Sequence, residues 1–227
     1  MSHVSWFYSQ FIRRGDLVFD IGANVGDRTA VFDGLGARVI AVEALPGAVE
    51  HLNQRFPDGR VKVLHYAVGE VPLRGTKRIH WPTDNSKCSI ASVSTEWIER
   101  AGAVYGEIMK WNEATEVPAI TLDELISLYG EPRFIKIDTE GSEDTILQGL
   151  TQGVEALSFE FHPWDMPKIL RCFLVLQKCQ IYKYNFSWCE SLTMTFPNWV
   201  SYDEVYDYIK RVEGDKVLYG DIYATLC

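Results

Sequence analysis

No apolar run in this 227-residue chain reaches the roughly 20 residues that a membrane-spanning helix needs. Clusters of Lys and Arg are missing as well. The chain carries 22 Lys and Arg against 31 Asp and Glu, a formal charge of −9. Displacing counterions from a phosphate backbone takes grouped cations. Neither nucleic acid nor an anionic membrane surface is therefore an expected partner. The opening residues, MSHVSWFYSQFIRR, hold no charged stretch followed by an apolar core, so no secretory signal is expected. CxxC pairs are absent, and the five cysteines (Cys88, Cys172, Cys179, Cys189 and Cys227) are odd in number. Cys172 and Cys179 stand seven apart, on one face of a helix. Free Cys favours the core, so buried thiols in a reducing cytoplasm are the expectation. Repeats, low-complexity tracts and linkers are also lacking.

What is present is an ordinary globular mix, 47% apolar and 23% charged. A chain of this size buries about 70% of its unfolded surface, enough for a core without staples. Residues 1–227 read as one domain, with an irregular insertion at 69–117 toward the acceptor side. Short apolar runs stopped by turn residues read as buried parallel strands: 17–21, 37–42, 61–68, 134–137 and 157–161. A strand or hairpin is expected at 76–81, and further strands at 180–188 and 217–225. Helices are expected at 27–35, 46–56, 94–101, 121–128, 142–150, 166–178 and 202–212. Thr121 with Glu124 has the spacing of a capping box. Alternating strands and helices argue for an α/β fold, a doubly wound, mostly parallel sheet, with an antiparallel edge from the last strands.

The first strand ends in Asp20-Ile21-Gly22-Ala23-Asn24-Val25-Gly26. Glycines at this place let the backbone turn tightly and let a ligand approach the next helix's amides. The dinucleotide pattern G-x-G-x-x-G is broken by Asn24, which puts a side chain where a pyrophosphate needs bare backbone. The Asp20 carboxylate repels phosphate but can accept from an ammonium. A cationic, phosphate-free ligand such as S-adenosylmethionine fits better than NAD. Glu43, closing the second strand, can take two ribose hydroxyls, and Tyr66-Ala67-Val68 closes the third.

A second constellation follows the strand 134–137. Lys136, Asp138 and Glu140 alternate onto one face, as do Glu160 and His162 beyond 157–161. If these strands are neighbours, three carboxylates and an imidazole converge beside the ligand loop. So many like charges must be paired, protonated or bound to a cation. Lys136 can neutralise part of the cluster, and a structural ion-pair network is the alternative.

The blocks LVFDIGANVGDRT, VIAVEALPGAVEHLNQRF, YAVGE, ITLDELI, RFIKIDTEGSEDTILQGL and LSFEFHP resemble, in sequence and order, the FkbM-type methyltransferases. The resemblance runs from about Gly15 to Pro163. It implies a class I methyltransferase fold, Rossmann-like and seven-stranded. It also implies S-adenosylmethionine as methyl donor and a hydroxyl acceptor on a small molecule or sugar. By the same resemblance Asp20, Gly22, Ala23, Asn24 and Gly26 hold the methionine end, Glu43 the ribose, and Ala67 lies by the adenine. Asp138, which also borders the cofactor, joins Glu140, Glu160 and His162 around the acceptor.

An alcohol acceptor must lose a proton. His162 is the first candidate base because neutral imidazole is available near pH 7. Asp138 is the second, with Glu140 beside it. In an alternative arrangement Asp138, Glu140 and Glu160 bind a divalent metal that acidifies the acceptor. Trp81, Trp97, Tyr105 and Trp111 could stack on a sugar face or simply pack, and Asp84, Asn85 and Ser86 could cap or bind. The aromatics at 199–208 have helical spacing and are expected in the core. Two rival classes are a nicotinamide-dependent oxidoreductase and a non-catalytic module that keeps the cofactor pocket. No N/D-P-P-Y/F block follows residue 137, which argues against exocyclic base amines as acceptors.

Overall fold

The computed structural model describes residues 1–70, 75–82, 91–94, 97–99 and 115–227. Its centre is a seven-stranded sheet in the order β3-β2-β1-β7-β8-β10-β9. The strands are β1 Leu17–Ile21, β2 Arg38–Glu43, β3 Val61–His65, β7 Phe134–Ile137, β8 Ala156–Phe161, β9 Tyr182–Trp188 and β10 Gly220–Leu226. β1 pairs in parallel with both β2 and β7, and β7 with β8. All five residues of β1 are buried, which accounts for its unbroken apolar run around Asp20. β10 runs antiparallel between β8 and β9. The antiparallel strand thus stands one place inside the sheet, and β9 forms the edge.

Helices cover both faces. α1 (His3–Tyr8), α2 (Asp27–Gly34) and α3 (Pro46–Arg55) contribute to one core with Val18, Val39 and Phe134. α4 (Leu122–Tyr129), α5 (Glu143–Gln148), α6 (Met166–Cys179) and α7 (Tyr202–Lys210) pack on Phe19, Ile135 and Phe159 of the opposite face. The capping box of α4 forms as expected, with Thr121 accepting from the Glu124 amide and Glu124 from the Thr121 amide. α1 had no local signal in the sequence. Ser2 caps it, and Tyr8 and Phe11 stack edge and face around Phe134.

A second sheet, in the order β4-β6-β5, grows beside the cleft from β4 Ala67–Val68, β5 Thr76–Ile79 and β6 Thr115–Ile120. The expected strand 61–68 breaks at Tyr66, so that β4 leaves β3 for β6. β6 escaped the sequence reading because Pro118 interrupts its pattern. Of the expected helix 94–101, residues 97–99 are helical, and the rest falls partly outside the described residues. No helix among the described residues is long and apolar enough to cross a membrane. Cys172 is buried as expected, but Cys179 and Cys189 are half-exposed and Cys227 is exposed. Cys88 lies outside the described residues.

Candidate active site

Strand order reverses between β1 and β7, and a cleft of about 420 Å³ opens at their carboxyl ends. That is the switch point where open α/β sheets bind ligands. The volume lies within the roughly 300–1,000 Å³ range of small-molecule sites. Gly22 and Asn24 line it from the first loop. Both have left-handed backbones, φ 79° and 49°, a conformation Gly and Asn tolerate. The amides of Gly22 and Ala23 donate to Val42 O, and the Asp138 amide donates to Ile21 O. A Cβ at Gly22 would overlap the Asp138 carbonyl. The missing side chain is therefore what lets the two sequence blocks touch.

Asp20, Ala23 and Gly26 do not line the cleft. Asp20 is buried behind the turn and accepts from Thr29 Oγ1 at 2.5 Å, fastening α2 to β1. Burial raises its pKa. Gly26 instead gives room to Leu52 and Phe56, which a Cβ would approach to 2.7 and 2.8 Å. Glu43 does line the cleft, and three backbone amides donate to it: Asn24 at 2.7 Å and Ala44 and Leu45 at 2.8 Å. Burial pushes its pKa up while those amides pull it down. Tyr66, Ala67 and Val68 continue the wall, closed by Ile79 of the small sheet.

Opposite stand Asp138, Glu140, Glu160 and His162, all lining the same cleft. Parallel pairing of β7 and β8 brings them together. Lys136 Nζ donates to Asp138 Oδ2 at 2.6 Å. Glu140 has φ 53°, held by Glu143, which accepts from the Thr139 and Gly141 amides. Ser92 Oγ also donates to Glu140 O at 2.7 Å. Burial first, then neighbouring carboxylates, lift Glu140 and Glu160 well above the ordinary range. Burial lowers His162 to about 4, so its ring is neutral near pH 7.

The family model described as the methyltransferase FkbM domain matches residues 20–211. The chain belongs to the FkbM methyltransferase family. S-adenosylmethionine is the methyl donor this membership implies. Comparison with curated proteins gave no match. Similar solved structures include a precorrin-6y C5,15-methyltransferase from Geobacter metallireducens, 10% identical, with a TM-score of 0.48, covering 99% of this chain and 87% of its own. A TehB-like SAM-dependent methyltransferase from Corynebacterium glutamicum is 10% identical, with a TM-score of 0.49 and the same coverage. An rRNA methylase from Streptococcus thermophilus is 13% identical, with a TM-score of 0.44, covering 98% of this chain and 94% of its own.

In this FkbM-family chain the cleft also draws on residues outside the sequence motifs. Glu190, from the loop after β9, and Tyr219, just before β10, both line the cleft. An Arg28–Glu190 ion pair ties that loop to α2. Asp221 is register-paired with Glu160, and burial raises its pKa to about 6. Only the tertiary fold brings these residues in, so local patterns could not flag them. Trp97 is buried against Gly141, and Trp81 packs on the core of the small sheet. Neither lines the cleft. Tyr105, Trp111, Asp84, Asn85 and Ser86 lie outside the described residues. Tyr202, Tyr206 and Tyr208 pack against the core as expected, whereas Trp199 stays partly exposed.

Proposed function

We propose that this chain is an S-adenosylmethionine-dependent O-methyltransferase acting on a hydroxyl of a small molecule or sugar. The observation that carries the reading is the acidic make-up of the cleft wall. Five carboxylates line it (Glu43, Asp138, Glu140, Glu160 and Glu190), and its described lining contains no Lys or Arg. Such a wall favours a cationic, unphosphorylated ligand and opposes a dinucleotide or a phosphorylated acceptor.

When bound, S-adenosylmethionine supplies a methyl carbon activated by its sulfonium. Gly22 and Asn24 would face its methionine end, Glu43 its ribose, and Ala67 with Tyr66 its adenine. Glu43 is already oriented by three amides, so ordering it costs little on binding. Asp138 stands where the two halves of the cleft meet and borders both donor and acceptor. Alignment of the acceptor oxygen with the methyl–sulfur axis is the largest lever on the rate. His162, kept neutral by burial, would take the proton of the acceptor hydroxyl as it is methylated. Asp138, kept in place by Lys136, is the second acceptor for that proton, with Glu140 beside it.

Titration calorimetry with S-adenosylhomocysteine and, separately, NADH tests the reading. Micromolar binding of the first and none of the second is expected. The reverse result would overturn it in favour of an oxidoreductase. Turnover is tested by S-adenosylhomocysteine formation with a panel of sugar alcohols and glycans. Cofactor binding without turnover on any of them would favour a non-catalytic module.

A further inference from the structure

We propose that Asp138, Glu140 and Glu160 form a site for one hard divalent cation, of the Mg²⁺, Mn²⁺ or Ca²⁺ class. Each offers a carboxylate oxygen, and those oxygens lie within 4.8 Å of one another. Oxygens sharing one such ion, each 2.0–2.6 Å from it, are at most about 4–5 Å apart. The donors are all oxygen, which selects hard cations over zinc or copper.

A second observation points the same way. Glu160 Oε2 is shut off from solvent and has no hydrogen-bond partner among the described residues. A buried carboxylate oxygen left unpaired is costly, so the fold calls for a proton or a cation there. Among the described residues none meets it. Lys136 is committed to Asp138, and the described cleft lining contains neither Lys nor Arg. Asp221, register-paired with Glu160, adds further negative charge instead. Glu140 keeps a left-handed backbone, a strained conformation of the kind that clusters at functional sites.

All three acids line the cleft. The cation would therefore have protein ligands on the sheet side and open positions toward the acceptor. Its use in methyl transfer rests on the proposed function: an acceptor hydroxyl on the ion would lose its proton more readily.

The test is Mn²⁺ titration of the full chain, read from the paramagnetic resonance of free Mn²⁺, with S-adenosylhomocysteine binding measured in parallel. One Mn²⁺ per chain with Kd below about 1 mM is expected. It should weaken at least about tenfold in both Glu160→Gln and Glu140→Gln, while S-adenosylhomocysteine binding stays within about threefold. If Glu160→Gln fails to fold by circular dichroism, Glu140→Gln carries the comparison. No saturable Mn²⁺ binding, or equal binding in the folded variants, overturns the site. A chain that binds S-adenosylhomocysteine but not Mn²⁺ loses the cation site and keeps the methyl-donor reading. Binding of Mn²⁺ alone does the opposite.

Discussion

Lys136 Nζ and Asp138 Oδ2 are 2.6 Å apart at the carboxyl end of β7, with the side chain of Lys136 5% exposed and that of Asp138 36%. One partner is sealed in the sheet and the other looks into the cleft. Burial pulls the lysine's pKa down, but Asp138 first, and then Asp221, hold it above the ordinary lysine value. It is a permanent cation, and Asp138 is its outlet to the site.

Replacing Lys136 with Met keeps the stem and removes the charge. Breaking a buried pair costs roughly 3–5 kcal/mol. Water screens Asp138, so a loss of about 3 kcal/mol or less is expected in urea denaturation. Lys136→Arg should keep most of the stability. A Met variant as stable as the parent would show that the pair contributes nothing.

Gly22→Ala should damage stability and cofactor binding together. The residue has φ 79°, and its Cβ would overlap the Asp138 backbone, which cannot swing aside. The backbone strain alone costs roughly 1–3 kcal/mol. Gly34→Ala is the control: no heavy atom lies within 4 Å of its Cβ position. There the change should stabilise by about 0.4–1 kcal/mol through the unfolded chain. Thermal melts of the two variants should move in opposite directions.

Glu43→Gln leaves one oxygen where two accept. An amide nitrogen would then meet the Asn24 N–H or the pair from Ala44 and Leu45, donor against donor. Hydrogen bonds to a charged group contribute roughly 1.5–3 kcal/mol. S-adenosylhomocysteine should bind about 10–100-fold more weakly by calorimetry. Unchanged affinity would remove Glu43 from the cofactor site.

Two buried groups should give opposing pH dependences. Asp221 is raised from 3.8 to about 6. Its folded form holds the proton more tightly, so the stability it contributes is full below pH 3.8 and is lost as pH rises through 6. His162 is lowered from 6.5 to about 4. Its contribution is full above pH 6.5 and is lost as pH falls through 4. Each amounts to about 3 kcal/mol. Relative to the parent, Asp221→Asn should gain stability and His162→Gln should lose it as pH rises from 4 to 6.5. Denaturation curves at four pH values within that window check both signs.

The parts of the fold legible in the sequence were those whose cause is local. The run Leu17–Ile21, the glycine turn and the Thr121–Glu124 cap each declare themselves within a few residues. Adjacency of residues 138 and 160 required only that two apolar strands lie side by side. Asp20 misled because charge before a glycine turn looks the same whether it faces the cleft or lies behind it. Thr29, nine residues on, decides the matter by donating from α2. Glu190 and Asp221 were unreadable because long crossovers bring them to the site. Trp97 stayed open between packing and stacking because an aromatic serves either until Gly141 is seen beneath it.

The place of β10 between β8 and β9 sets an order of events during synthesis. Until residues 220–226 leave the ribosome, β8 presents an open flank and β9 has no partner in the main sheet. Unpaired flanks of this kind invite pairing with other chains. Asp221 arrives with that strand, directly beside Glu160. The acidic end of the cleft is thus assembled late, and a nascent chain stalled before residue 220 holds Gly22, Asn24 and Glu43 without Asp221 beside Glu160.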